Sequence, residues 1–238
     1  MKPVTSDIDP DCLLYLIVEA NEGSATQQAL HAALSAGPVT SVLITPLPDT
    51  SLNEQLVRPL VAACQDDDVV VLIAGDAALA KQVGADGVHI SWREDVVAAF
   101  QEARNTLGHD AVIGGDAGRS RHTAMELGEA GADYVAFGIP SHVKDRETAE
   151  NRQRELIAWW AEIFEPACVA FTSNTPDLAA IGNLVEDGAD FVSVTIKPGQ
   201  TADDISNYIR DVLQTLEQHS EIRNAALAEA ETSAGAKT

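Results

Sequence analysis

Carboxylates stand directly after two neighbouring apolar runs. Asp76 follows Val69–Ile73, and Glu94 with Asp95 follows Gly87–Ser91. Two or three carboxylates aimed at one point, completed by phosphate oxygens and water, form a Mg²⁺ site. Each acid also has a structural use. Asp76 is placed to cap a helix, and Glu94 and Asp95 fall in a first helical turn, where the dipole favours negative charge. Spacing leaves both uses open. Cations form a second group: of the 15 Lys and Arg residues, Arg93, Arg119, Arg121, Lys144, Arg146 and Lys197 fall in four short polar segments. On a body of formal charge −22, capture of a phosphorylated small molecule needs such a local positive rim. Loops are also where charge is simply solvated. A third group, Thr172-Ser173-Asn174-Thr175 ahead of Pro176, offers hydroxyls and amides to a phosphate, or supplies only the cap of a helix.

The elements that must position these residues are clearest between Ala111 and Gly138. An apolar run, a polar loop, a helix-like Thr123–Ala130, Gly131 and a second apolar run from Asp133 make a βαβ unit with parallel strands. Gly131 stands where a helix C-terminus wants a left-handed residue. Its Gly-Ala-Asp-apolar signature recurs at Gly84-Ala85-Asp86 and Gly188-Ala189-Asp190, 47 residues before and 57 after. One βα module, or a pair of them, has therefore been reused.

Strand-like runs alternate with helix-like ones eight times. The strands are Leu13–Val18, Val39–Thr45, Val69–Ile73, Gly87–Ser91, the two of the central unit, Cys168–Phe171 and Phe191–Thr195. The helices run over Ser24–Ala36, Ser51–Cys64, Asp76–Val83, Glu94–Leu107, the central helix, Thr148–Phe164, Pro176–Glu186 and Asp203–Leu216. Continuous apolar strands in this alternation predict an α/β fold, a (β/α)₈ TIM barrel, as a single domain over residues 1–217. An open doubly wound sheet would carry a Gly-x-Gly-x-x-Gly after its first strand, and none is present. The tail, 218–238, lacks an apolar stripe and reads as disordered. In a barrel the loops named above leave the C-terminal ends of the strands, where a site belongs.

Composition narrows the classes. The acidic balance excludes nucleic acid and an anionic membrane surface as general partners. No apolar run is long enough to span a membrane, and the first residues do not read as a signal peptide. Cys12, Cys64 and Cys168 sit singly in apolar stretches, as reduced core residues of a cytoplasmic protein do. Trp159-Trp160 reads as core and shell rather than a ligand platform.

Residues from about 69 to 195 resemble the thiamine phosphate synthase family, which also contains the thiazole tautomerases. The carrying motifs are Gly84-Ala-Asp-Gly-Val-His89, Gly118-x-Ser120-x-His122-Thr123, Gly131-Ala-Asp-Tyr-Val-Ala-Phe-Gly138 and Gly188-Ala-Asp190. The resemblance implies a (β/α)₈ barrel that joins a hydroxymethylpyrimidine diphosphate to a thiazole phosphate and releases diphosphate with Mg²⁺. By position, Asp76 and Glu94, with Asp95 adjacent, match the metal-binding acids. Ser120 matches a diphosphate-contacting Ser in the motif that also holds His122. Lys144 survives from a strand-six loop motif as the catalytic cation. Arg119, Arg121 and the Thr172, Ser173 and Asn174 segment complete the expected ligand contacts. A homo-oligomer is compatible with the sequence.

Departures are as informative. The family's Gln-x-Arg-x-Lys on strand two is replaced by Leu43-Ile44-Thr45-Pro46-Leu47, its Asn-Asp by Gly75-Asp76, and the Gln of its His-Leu-Gly-Gln by Trp92. A glycine pair after strand seven is Thr172-Ser173, and a Ser after strand eight is Ile196. The strand-two change removes a pyrimidine ligand and two cations. The alternative to a working synthase is therefore a repurposed or non-catalytic barrel that binds another phosphorylated small molecule or a protein.

Overall fold

A computed structural model describes residues 12–22, 24–140, 143–172, 176–197 and 199–235. Eight parallel strands close on themselves in sequence order, β1 pairing with both β2 and β8. The strands are β1 (Leu13–Ala20), β2 (Ser41–Pro46), β3 (Val70–Ala74), β4 (Gly87–Ile90), β5 (Val112–Asp116), β6 (Tyr134–Gly138), β7 (Ala167–Phe171) and β8 (Phe191–Ile196). Between them run α1 (Ala25–Leu34), α2 (Glu54–Asp66), α3 (Ala77–Val83), α4 (Val96–Leu107), α5 (Arg121–Glu129), α6 (Arg146–Ile163) and α7 (Leu178–Glu186), and α8 (Ala202–Gly235) closes the ring. The expected barrel is the observed one. No described helix is long and apolar enough to cross a membrane.

Alternation along each strand divides the core in two. Leu14, Leu16 and Val18 of β1, with Val42 and Ile44 of β2, point outward into the layer shared with the helices. Tyr15, Ile17, Leu43, Leu72, Tyr134, Ala136 and Val169 point inward and fill the barrel. Strands buried on both faces explain the continuous apolar runs of the sequence.

The repeated Gly-Ala-Asp junctions lie at the N-terminal ends of the strands, and each is a clamp. Gly84, Gly131 and Gly188 hold φ of 74°, 84° and 103°, which lets the chain leave the helix in the left-handed region. The alanine that follows donates its amide back to a helix carbonyl: Ala85 to Ala80, Ala132 to Leu127 and Ala189 to Leu184. The aspartate then grips the preceding strand twice. Asp86 donates its N–H to Val71 O at 2.9 Å and accepts the Val71 N–H at 2.8 Å. Asp133 does the same to Ile113, and Asp190 to Cys168. The clamps join β3 to β4, β5 to β6 and β7 to β8, so the repeating unit is a pair of modules.

Helix starts shift where a short acceptor side chain stands. α6 begins at Arg146, two residues before the expected start, because Asp145 caps it and accepts from Thr148 N. α7 begins after Asp177, which accepts from Ala180 N at 2.7 Å, and that residue takes the capping role expected of Asn174 or Thr175. The largest difference concerns the predicted tail. From 218 to 235 the chain continues as α8, held at first by polar contacts that an apolar-stripe reading does not register. Ser220 Oγ is buried and accepts the Cys12 N–H at 2.9 Å. Arg223 donates to Ala189 O at 3.0 Å, and His219 Nδ1 lies 2.7 Å from Glu186 Oε1.

Candidate active site

The loops after β3 and β4 border a cleft of about 910 Å³ lined by Asp76, Glu94, Asp95, Arg93, Trp92 and Gly75 among others. All three carboxylates expected to bind metal thus share one concavity. They are not equally available. Asp76 caps α3, its Oδ1 accepting the Leu79 N–H at 2.8 Å, which leaves Oδ2 for other work. Asp95 makes a two-point ion pair with Arg93, 2.5 and 3.0 Å, and that neighbour holds its carboxyl below the usual range. Glu94 is exposed. Among the described residues no cluster of three metal-ligating side chains is preformed. This donor set fits a hard divalent cation only when ligand oxygens complete the shell.

The expected cationic rim is thinner than the sequence suggests. Arg93 is spent on Asp95. Arg121, the first residue of α5, lies 4.7 Å over the Trp159 ring of α6. His122 is exposed on α5, 3.6 Å from Glu126, and among the described residues is not brought into contact with the other expected ligand residues. The sequence places both in the loop after β5, whereas α5 already begins at Arg121, with Ser120 as its cap. Ser120 Oγ accepts the Thr123 N–H at 3.1 Å, so it acts as the cap of α5. Arg119 and Lys144 remain exposed in the loops after β5 and β6. Thr172 is fixed to β8: its N–H donates to Ser193 Oγ at 2.8 Å and its hydroxyl to Ser193 O at 2.7 Å. Ser173, Asn174 and Thr175, with Ser141 and His142, lie outside the described residues.

Beneath the mouth the barrel interior is polar where the sequence reading named no site residue. Asp116 ends β5, faces inward and is 9% exposed. Its Oδ1 accepts N–H groups from Gly118 at 2.7 Å and Gly138 at 3.0 Å. Burial pushes its carboxyl up to about 6, against the pull of those two amides. Gly138 is required beside it, since a Cβ there would sit 2.5 Å from Asp116 Oδ2. Gly118 carries φ of 59°, and a Cβ on it would meet the Trp92 indole at 2.4 Å. Trp92 and Gly118 therefore connect the carboxylate cleft to Asp116.

One interior layer lower on β4 is His89, in register with Gly114. Its ring stacks on Phe171, at 4.5 Å and 7°, and lies nearly parallel to that of Tyr134, with centroids 5.9 Å apart at 8°. His89 Nδ1 lies 2.9 Å from Tyr134 Oη, and Tyr134 Oη lies 2.8 Å from Tyr15 Oη. Tyr134 can cross β5 because residue 114 has no side chain; a Cβ there would come 2.0 Å from its ring. Burial lowers the imidazole to about 3, so it is neutral. His89 Nε2 is buried without a hydrogen-bond partner among the described residues. A charged residue inside an apolar strand, at the inward position of the Val112, Gly114, Asp116 alternation, was the sequence signal for this floor.

β2 brings Leu43 inward and Ile44 outward, both buried, with Thr45 half-buried, and contributes no cation. At the far side Gln153 of α6, itself buried, donates to Phe137 O and Phe171 O and ties the tips of β6 and β7.

Comparison with known proteins places this geometry. The family model described as thiamine monophosphate synthase matches residues 14–197. The chain belongs to the thiamine monophosphate synthase family. A protein of Erythrobacter litoralis named thiamine-phosphate synthase is 42% identical over 187 residues, covering 76% of this chain and 85% of the relative. One of Rhodospirillum centenum with the same name is 40% identical, covering 77% and 87%. Among solved structures, a thiamine phosphate pyrophosphorylase from Pyrococcus furiosus superposes with a TM-score of 0.65 at 18% identity, over 87% of this chain and 96% of that one. The last match concerns the fold. For this member of the synthase family, the matched span covers all eight strands except the first residue of β1, together with the loops that form the mouth.

Proposed function

We propose that this chain joins a hydroxymethylpyrimidine diphosphate to a thiazole phosphate and releases diphosphate. The observation that carries the reading is family membership across the whole barrel, with relatives named thiamine-phosphate synthase covered over 85% and 87% of their length. The carboxylate cleft beside the barrel mouth supports it. Asp76 and Glu94, with Asp95 alongside, would hold Mg²⁺ together with diphosphate oxygens, and such a cation would supply charge neutralisation to the leaving group. Lys144 adds a cation to the leaving group, and Arg119 with the segment of Thr172, Ser173 and Asn174 contacts phosphate. Ser120 reaches the ligand through its helix N-terminus, since its own Oγ is the cap. Arg121 and His122 have no part in this reading. The setting is cytoplasmic and the partners are phosphorylated small molecules; a homo-oligomer is compatible with it.

A second reading is favoured by β2, where Leu43, Ile44 and Thr45 leave no charge to hold a ligand. In that reading the barrel keeps the framework and has given up the reaction. Asp76→Asn separates the two, because an amide caps a helix about as well as a carboxylate does. Purified protein incubated with both precursors and Mg²⁺ should yield thiamine phosphate. Asp76→Asn should abolish the product while melting at the same temperature. Absence of product from both proteins leaves the second reading standing.

A further inference from the structure

The cleft after β3 and β4 is charged almost entirely by acids. Asp76, Glu94, Asp95 and Glu102 line it, and Arg93 is the only base among its described lining residues. Pro46, at the tip of β2, borders the same space, and β2 contains no cation of its own. Arg93 is therefore the guanidinium that this cleft has to offer an anion. Its Nε and Nη2 both face Asp95, at 2.5 and 3.0 Å. A phosphoryl group presents two oxygens to the same guanidinium edge as a carboxylate does, so Asp95 and a phosphate compete for one edge. The fold does not tie Asp95 down. Asp76, Asp145 and Asp177 each accept a helix N–H, whereas Asp95 occupies the N-cap position of α4 without a side-chain cap bond. The paired side chains are 56% and 60% exposed, and an ion pair in such a setting contributes little stability.

We propose that Arg93 is a diphosphate-binding residue and that its pair with Asp95 is exchangeable. Diphosphate takes the guanidinium edge, and the released Asp95 carboxylate joins Asp76 and Glu94 on a divalent cation. One exchange thus creates a donor for the anion and an acceptor for the cation, and each ligand favours the other. Without the cation, four carboxylates against one guanidinium repel the anion. The identity of the anion rests on the synthase reading above; the exchange rests on the geometry of the pair.

Calorimetric titration of the full chain with inorganic diphosphate, in excess Mg²⁺ and separately in a chelator, tests the exchange. Both residues are exposed, so their variants should keep the fold. With Mg²⁺, Arg93→Ala should weaken diphosphate binding about tenfold or more. Arg93→Lys restores the charge without the fork and should recover only part of that loss. Asp95→Asn should act in opposite directions in the two arms. With Mg²⁺ it loses a cation ligand and weakens binding. In the chelator it loosens its hold on Arg93 and should tighten binding about fivefold, a gain that shrinks toward nothing in the Arg93→Ala background. Unchanged Mg²⁺-diphosphate affinity in Arg93→Ala overturns the inference, as does a wild type that binds no diphosphate with Mg²⁺. An equal gain from Asp95→Asn with and without Arg93 also overturns it, since that is the effect of removing a charge alone. Thiamine phosphate formation is measured on the same preparations. Product from the wild type with unchanged affinity in Arg93→Ala sinks this inference alone. The opposite responses of Asp95→Asn without product from the wild type sink the synthase reading alone.

Discussion

At the scale of single residues, two buried titratable groups pull stability in opposite directions with pH. Asp116 has a folded value near 6 against an ordinary 3.8. It holds its proton longer in the fold than in the open chain, so its contribution is full below about pH 4 and is lost as pH rises through 6. His89 has a folded value near 3 against 6.5. Its contribution is full above 6.5 and is lost on acidification toward 3. Between pH 4 and 6 the two partly cancel, each with a slope of up to about 1.4 kcal/mol per pH unit. Removing one should unmask the other. Melting temperature recorded from pH 7 to pH 4 should fall more steeply for Asp116→Asn than for the wild type. Parallel curves would mean that Asp116 ionises in the fold as it does in the open chain.

At the scale of elements, the clamps at Gly84, Gly131 and Gly188 predict graded costs. A valine in the left-handed region costs about 1 kcal/mol or more through backbone strain alone. A Cβ on Gly131 meets nothing within 4 Å, whereas one on Gly188 would come 2.6 Å from Ala161 Cβ. Gly188→Val should therefore lower the urea midpoint further than Gly131→Val, and neither should alter ligand preference. Equal midpoints would place the cost in φ alone. These junctions were legible in the sequence because backbone geometry selects glycine and the pattern repeats. The strands were legible because both faces of each are buried. The end of α8 was not, since Ser220 and Arg223 hold it through hydrogen bonds to Cys12, Ala189 and Val185 rather than through an apolar stripe. The site was legible loop by loop, as a barrel places its loops on one rim. Which loop residue is spent was not legible: Arg93 on Asp95 and Ser120 on its own helix are local pairings that depend on where each helix starts, and Arg121 on Trp159 is set by the packing of α5 against α6. His89 and Asp116 were hidden for a related reason, because a polar residue in a strand declares its function only once its inward register is known.

At the scale of the whole molecule, a charge of −22 surrounds a mouth proposed to take an anionic diphosphate. With Arg93 and Arg121 already partnered, long-range repulsion outweighs local attraction during approach. Raising ionic strength from about 0.01 to 0.1 M shortens the screening length from roughly 30 to 10 Å. KM for the diphosphate substrate should therefore fall over that range at constant Mg²⁺ activity. A rise instead would show that Arg119, Lys144 and their neighbours dominate the field at the mouth.

The long last helix gives the molecule a direction. It passes the clamp face at Ser220 and Arg223 and runs on for 12 further residues, to Gly235, a length of about 18 Å at the helical rise. Its far end therefore departs from the side opposite the mouth. A protein tethered to a bead or an electrode through that end would stand with its opening toward the bulk, and a fusion partner joined there would leave the approach to the loops clear.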